Sequence, residues 1–229
     1  MTPRSAGERS CPASTPEHQS LLDRIWGLVF PPRCVGCGGG GAWLCPTCLD
    51  RIEYYRPPWP HFLDPVDPLQ EVRSAAHLSD PLRLAIHSFK YEGLRALAGT
   101  LGQILYACWA SESWPVDVIV PVPLHPSRLR ERGYNQSALL ARELSRCSGL
   151  PVLEGVLLRV VDTRPQVGLS ATERTKNVKG AFRCKGSLTS QHILLVDDVM
   201  TTGATLRACG RELLQAGARA VWGLTLAHD

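Results

Sequence analysis

The run ILLVDDVMTTGATL, residues 193–206, leaves little choice about what surrounds it. Four consecutive apolar residues, Ile193, Leu194, Leu195 and Val196, predict a strand buried on both faces, which requires a parallel sheet with helices above and below. Two carboxylates, Asp197 and Asp198, follow at the carboxyl end of that strand, where open α/β sheets bind ligands. Thr201, Thr202, Gly203, Ala204 and Thr205 then lead into a helix over 203–216, closed by Gly217. Gly203 permits a tight turn and close approach of a ligand to the backbone. Three threonine hydroxyls and the free N–H groups of a helix start can surround a phosphate. The carboxylates would repel that phosphate, so they suit hydroxyl groups or a metal ion. A sugar phosphate satisfies both halves. The plainer account of the same residues is an acidic turn with a threonine cap.

The rest of the chain has the pattern such a strand needs. Strands are predicted over 72–78, 116–122, 156–161 and 221–226, with an extended piece at 180–183. Helices are predicted over 81–91, 94–109, 136–145 and 171–178. This alternation predicts an α/β fold over residues 71–229, a doubly wound and mainly parallel sheet. Upstream, residues 1–19 are rich in Pro, Ser, Thr and charge and read as a disordered tail. Residues 20–30 read as a short amphipathic helix ended by Pro31 and Pro32. Residues 56–70 carry five prolines and read as a linker.

Two further polar stretches could face a ligand. PVPLHPSRLRERGYNQ, residues 121–136, reads as an arginine-rich loop with a turn at Gly133. The guanidinium groups of Arg128, Arg130 and Arg132 can hold phosphate oxygens bidentately; the same residues also suit a solvated basic loop. His125 reads as a structural loop histidine. Residues 159–182 carry Arg164, Gln166, Arg174 and Asn177, in either a substrate-covering loop or an ordinary charged surface. Lys90, at a helix end, could reach a phosphate or simply complement the helix dipole.

Cysteines set a separate constraint. Of nine, four form Cys34-x2-Cys37 and Cys45-x2-Cys48 within residues 34–48. Two such knuckles give a closed, tetrahedral, structural Zn2+ site, although iron satisfies the same spacing. The predicted small N-terminal unit, residues 20–55, therefore joins a helix to a zinc-binding module. The other five cysteines stand singly and read as small apolar residues. This is not the distribution of a disulfide scaffold, which points to a reducing compartment. No run resembles a signal peptide or a membrane span, so a cytoplasmic protein is expected. The net charge of +4 permits contact with nucleic acid without demanding it.

Residues 193–205 resemble the phosphoribosyl pyrophosphate (PRPP) motif of type I phosphoribosyltransferases throughout. The resemblance implies that Asp197 and Asp198 are catalytic and face the ribose 2′ and 3′ hydroxyls, not the core. It puts the 5′-phosphate on Thr201, Thr202, Gly203, Ala204 and Thr205. Lys90, Arg128, Arg130, Arg132 and Asn135 become candidates for the pyrophosphate loop. Arg164, Gln166, Arg174 and Asn177 become candidates for a mobile loop, and Mg2+ is implied with PRPP. From about residue 21 onward the chain resembles the ComF family, also called ComFC or GntX-like. The matching residues are the four cysteines, Lys90-Tyr91-x-Gly93, Pro121 to His125, Arg130-x-Arg132-Gly133-Tyr134-Asn135-Gln136, Arg174-x2-Asn177 and Val196 to Thr205. This second resemblance implies a role in natural transformation and DNA uptake, with single-stranded DNA, a ComFA-like helicase and DprA as partners. Three activities fit: ribosyl phosphate transfer to an unknown acceptor, a non-catalytic PRPP- or nucleotide-sensing adaptor that binds DNA or competence proteins through the zinc module, and a zinc-ribbon nucleic-acid binder with a vestigial domain.

Overall fold

A computed structural model of the chain describes residues 31–60, 68–162 and 178–229. The expected tail and amphipathic helix, and all of the 171–178 helix but its last residue, lie outside them.

Twelve elements follow in chain order among the described residues. They are α1 (Pro46–Leu49), β1 (Val72–His77), α2 (Leu82–Tyr91), α3 (Leu97–Ala110), β2 (Val118–Pro121), α4 (Pro126–Arg132), α5 (Gln136–Ser148), β3 (Leu157–Arg159), β4 (Phe182–Cys184), β5 (His192–Met200), α6 (Ala204–Gln215) and β6 (Ala220–His228). Strands β1, β6, β5 and β2 form one sheet in that order, parallel at every pairing. Strands β3 and β4 form a separate antiparallel pair.

The sheet is doubly wound because its strands are apolar on both faces. Leu194, Val196 and Ile119 point into one core, shared with Leu101 and Leu105 of α3 and Leu140 and Leu144 of α5. Ile193, Leu195, Val118 and Val120 point into the other, shared with Leu206, Cys209 and Leu213 of α6 and with Phe182 of β4. Alternation along β5 thus fills two layers from one continuous apolar run. Helices α3 and α5 cross closely where Gly102 faces Glu143; a Cβ at Gly102 would lie 2.4 Å from that of Glu143.

Two elements differ from the sequence expectation. Strand β5 does not end with its apolar run. Asp197, Val199 and Met200 stay in register with Thr225, Ala227 and His228 of β6, so the acidic pair lies inside the strand. The arginine-rich loop is partly helical. The His125 side chain accepts from the Ser127 N–H as N-cap, Pro126 opens the helix, and Gly133 closes it with φ 78°.

The cysteine segment is not held at a distance. Cys34, Leu44, Cys48 and Ile52 share the first core with Leu82 and Ile86 of α2. Residues 53–55 lie antiparallel along β1, with Tyr54 opposite Ala76, the Tyr55 N–H donating to Ala75 O at 3.0 Å and the His77 N–H to Glu53 O at 2.9 Å. Among the described residues no helix is long and apolar enough to cross a membrane.

Candidate ligand site and metal centre

The acidic pair is buried, and this corrects the expectation that it faces a ligand freely. Asp197 is 8% exposed and Asp198 3%. Buried carboxylates need partners. Asp197 Oδ1 accepts from Ser137 Oγ at 2.8 Å and from the Asp198 N–H at 2.9 Å. Lys90 Nζ lies 2.9 Å from Asp198 Oδ1. Asp198 Oδ2 is buried without a hydrogen-bond partner. That oxygen is an acceptor with nothing to accept from, at the place where the sequence calls for a sugar hydroxyl.

Two negative charges and one ammonium leave an excess of one negative charge in the interior. The Asp197 carboxyl answers by rising to about 7, because burial and the neighbouring Asp198 outweigh Lys90 and Ser137. Burial alone would pull the Lys90 ammonium down, but Asp198 and then Asp197 hold it above its usual value.

Beyond Asp198 the hydroxyl-lined turn forms as the sequence suggests. Gly203 adopts φ 71°, a conformation side chains resist, and caps α6. The Ala204 N–H donates to Thr202 Oγ1 at 3.4 Å. Arg207, which the sequence reading passed over, reaches back from the first turns of α6 to the Thr202 carbonyl. Asp197, Thr201, Gly203, Ala204 and Thr205 line a cleft of about 20 Å³.

The remaining candidates divide. Lys90 belongs with the acidic pair and not with the arginines. Arg130 is exposed and Arg128 and Arg132 partly so. Arg132 donates to Gln136 Oε1 at 2.5 Å. Asn135 caps α5, accepting from the Ser137 N–H, and its side chain donates to Val122 O at 2.9 Å. This fixes the start of α5, which delivers Ser137 to Asp197. Ser137 was missed because an unremarkable serine follows Asn135-Gln136; the signal available was Asn135 as the N-cap of a helix whose first turn holds Ser137. Asn135 and His125 also line a cavity of about 700 Å³, together with Leu129, Leu139 and Arg159. Arg159 is a second omission: it is buried, 5.4 Å from the Phe182 ring, and burial followed by Arg128 lowers its pKa. Arg164, Gln166, Arg174 and Asn177 lie outside the described residues.

The four cysteine sulfurs lie within 4.8 Å of one another. Zinc–sulfur bonds of about 2.3 Å in a tetrahedron would put sulfurs about 3.8 Å apart. Cys37 and Cys45 are already 3.7 Å apart. The Cys45 N–H donates to Cys34 Sγ at 3.3 Å, a contact that stabilises a thiolate. Burial pushes the Cys34 thiol up, yet donation from the Cys45, Cys37 and Gly36 N–H groups outweighs it and holds the group near 6. Burial and the surrounding sulfurs push Cys48 up to about 12. One proton leaves readily and the last does not, so four thiolates together need a cation such as zinc. Gly36 is required here: a Cβ would lie 2.8 Å from both Cys48 Sγ and Pro81 Cβ.

Fold and site together define an α/β protein with a doubly wound parallel sheet, and a four-cysteine cluster able to hold a metal ion is packed against it. Competence protein F of Haemophilus influenzae is 34% identical over 193 residues, 80% of this chain and 84% of that one. The DNA utilization protein YhgH of Salmonella typhi is 36% identical over 183 residues, 78% of this chain and 81% of that one. Competence protein ComFC of Bacillus subtilis is 30% identical over 153 residues, 65% of this chain and 60% of that one. The chain belongs to the ComF family. No family model matches it. Among solved structures, the glutamine PRPP amidotransferase from B. subtilis aligns at a TM-score of 0.40 and 21% identity, over 57% of this chain and 26% of that one. The purine phosphoribosyltransferase of Pyrococcus horikoshii aligns at 0.31 and 20%, over 60% and 70%.

Proposed function

We propose that the chain binds PRPP as a phosphoribosyltransferase-like protein. The observation that carries this reading is the buried, unsatisfied Asp198 Oδ2 beside a threonine-lined turn at the carboxyl end of a central strand. A ribose 2′ or 3′ hydroxyl would donate to that oxygen, and its partner hydroxyl to Asp197. Backbone N–H groups and hydroxyls of Thr201, Thr202, Gly203, Ala204 and Thr205 would take the 5′-phosphate. Lys90 would cancel part of the pair's charge and stay close to the anomeric carbon. Arg128, Arg130, Arg132 and Asn135 are proposed on the pyrophosphate side, with Arg164, Gln166, Arg174 and Asn177 over it. Mg2+, when bound with PRPP, would neutralise pyrophosphate charge. Turnover would add transfer of the ribosyl phosphate to an acceptor.

The curated relatives are named for competence and DNA utilization. The proposed setting is therefore uptake and handling of incoming DNA in the cytoplasm, with single-stranded DNA, a ComFA-like helicase and DprA as partners.

Titration calorimetry with PRPP and Mg2+ tests the reading. Wild-type protein should bind, and Asp198→Asn should bind at least about tenfold more weakly, the cost of one hydrogen bond to a charged group. A cooperative melting curve for the variant shows that it has folded. Equal affinity for the two proteins overturns the ribose assignment.

A further inference from the structure

We infer that the cavity of about 700 Å³ beyond the end of β2 is a second ligand site, and that it takes a small amphipathic anion, an apolar body carrying one anionic head. Its size lies within the range of about 300–1,000 Å³ usual for small-molecule pockets. Leu124, Leu139 and Leu158 build an apolar wall, and Leu129 and Val160 complete it. Leu129 is 43% exposed and Val160 48%, so two large apolar side chains stand in water at one concavity. Exposed apolar side chains gathered in this way mark a binding groove, whereas single ones do not.

The polar part of the wall sets the charge of the head. Arg142 and Glu154 cancel each other, since the guanidinium donates to both carboxylate oxygens at 2.6 and 2.8 Å. Arg95 and Arg159 also line the cavity, so the wall as a whole is positive. Arg159 is the deeper of the two, 8% exposed and 5.4 Å from the Phe182 ring. Burial, and then Arg128, work against its charge. An anion beside this guanidinium would offset both. His125 is oriented before any ligand arrives: its Nδ1 lies 2.7 Å from Ser127 Oγ and 3.4 Å from Asp162 Oδ2. A side chain already held in place leaves less freedom for binding to remove.

Helix α5 separates this cavity from the acidic pair. Ser137 donates to Asp197, whereas Ala138, Leu139 and Arg142 line the cavity. At about 100° per residue, those three centre roughly 150° round the helix from Ser137. The two ligands would thus occupy opposite flanks of one helix. No residue lining the cavity lines the cleft at Thr201 to Thr205. Neither site needs the other to be occupied.

The probes are anilinonaphthalene sulfonate (ANS) and phenylnaphthylamine, which has the same rings without the sulfonate. Each is titrated by fluorescence into the folded full chain. ANS should bind once per chain and at least about tenfold more tightly than the neutral compound, the magnitude of one charge-assisted hydrogen bond. Arg159→Met should bring ANS down to the affinity of the neutral compound and leave the latter unchanged. Arg159→Lys should keep most of the preference. Leu129→Glu, at the exposed mouth where folding is not at stake, should weaken ANS about tenfold through like charge and lost apolar contact. Equal affinity of the wild type for the two probes overturns the site, as does ANS binding that Leu129→Glu leaves unchanged. Displacement of ANS by saturating PRPP and Mg2+ would put the probe in the sugar-phosphate site and overturn a separate one. Loss of ANS binding as the chain self-associates would give the cavity to a second copy, which overturns it too. A chain that binds ANS as expected and does not bind PRPP defeats the sugar-phosphate reading alone.

Discussion

Asp197 carries the strongest electrostatic consequence of the burial. Its folded pKa is raised to about 7, while an unfolded aspartate titrates near 3.9. The native state therefore holds a proton that the unfolded chain releases between those values. The stabilisation this provides is complete below about pH 4 and fades as the pH rises through 7. Between pH 5 and pH 8 the wild type should lose on the order of 2–4 kcal/mol more than Asp197→Asn, whose amide does not titrate. Denaturant melts of both proteins at the two pH values measure this, and parallel pH profiles would contradict it. The two aspartates themselves were legible in the sequence, because adjacent carboxylates after an apolar run are conspicuous. Ser137 and the reach of Lys90 to Asp198 were not, since sixty and more residues separate each partner from its carboxylate and no local pattern records such a meeting.

Helices and strands were legible in kind and less so in extent. Apolar periodicity found α2, α3 and α5, yet it stopped β5 at Val196 because polarity changes there while pairing with β6 does not. The arginine-rich stretch was read as a loop on its charge. Pro126 at the first helical position and Gly133 just past the end were the competing signals, and they prevailed. Helix crossings leave a fainter trace. Gly102 appears in the sequence as a weak spot in α3, whereas it is the point where α5 approaches. Gly102→Ala should gain about 1 kcal/mol in helix propensity. It should lose more, about 1–3 kcal/mol, from overpacking against Glu143. A net loss in equilibrium denaturation is expected. A gain would mean that the two helices separate easily.

Across the whole molecule, alternating strands and helices disclosed a parallel sheet, but not its order. That β1 pairs with β6, the last strand, depends on how the two cores fill, which no window of sequence contains. The cysteine cluster was read as a separate module behind a linker, and its chemistry followed from spacing alone. Its packing did not: Cys34, Leu44, Cys48 and Ile52 belong to the same core as α2 and α3. Metal loss should therefore unsettle the entire chain. Chelation, or Cys45→Ser, should lower the temperature of one cooperative transition in calorimetry. A separate early transition with the main one unmoved would indicate an independent module.

The three residues that lie along β1 have one more effect. A parallel sheet bounded by bare strands offers its outermost backbone to any extended peptide nearby. Here Glu53, Tyr54 and Tyr55 occupy the hydrogen-bonding positions on that flank, and the buried residues just before them, Cys48 and Ile52, anchor the segment in the core. The segment that carries the cysteines thus also closes a sheet edge on which another extended chain could otherwise pair.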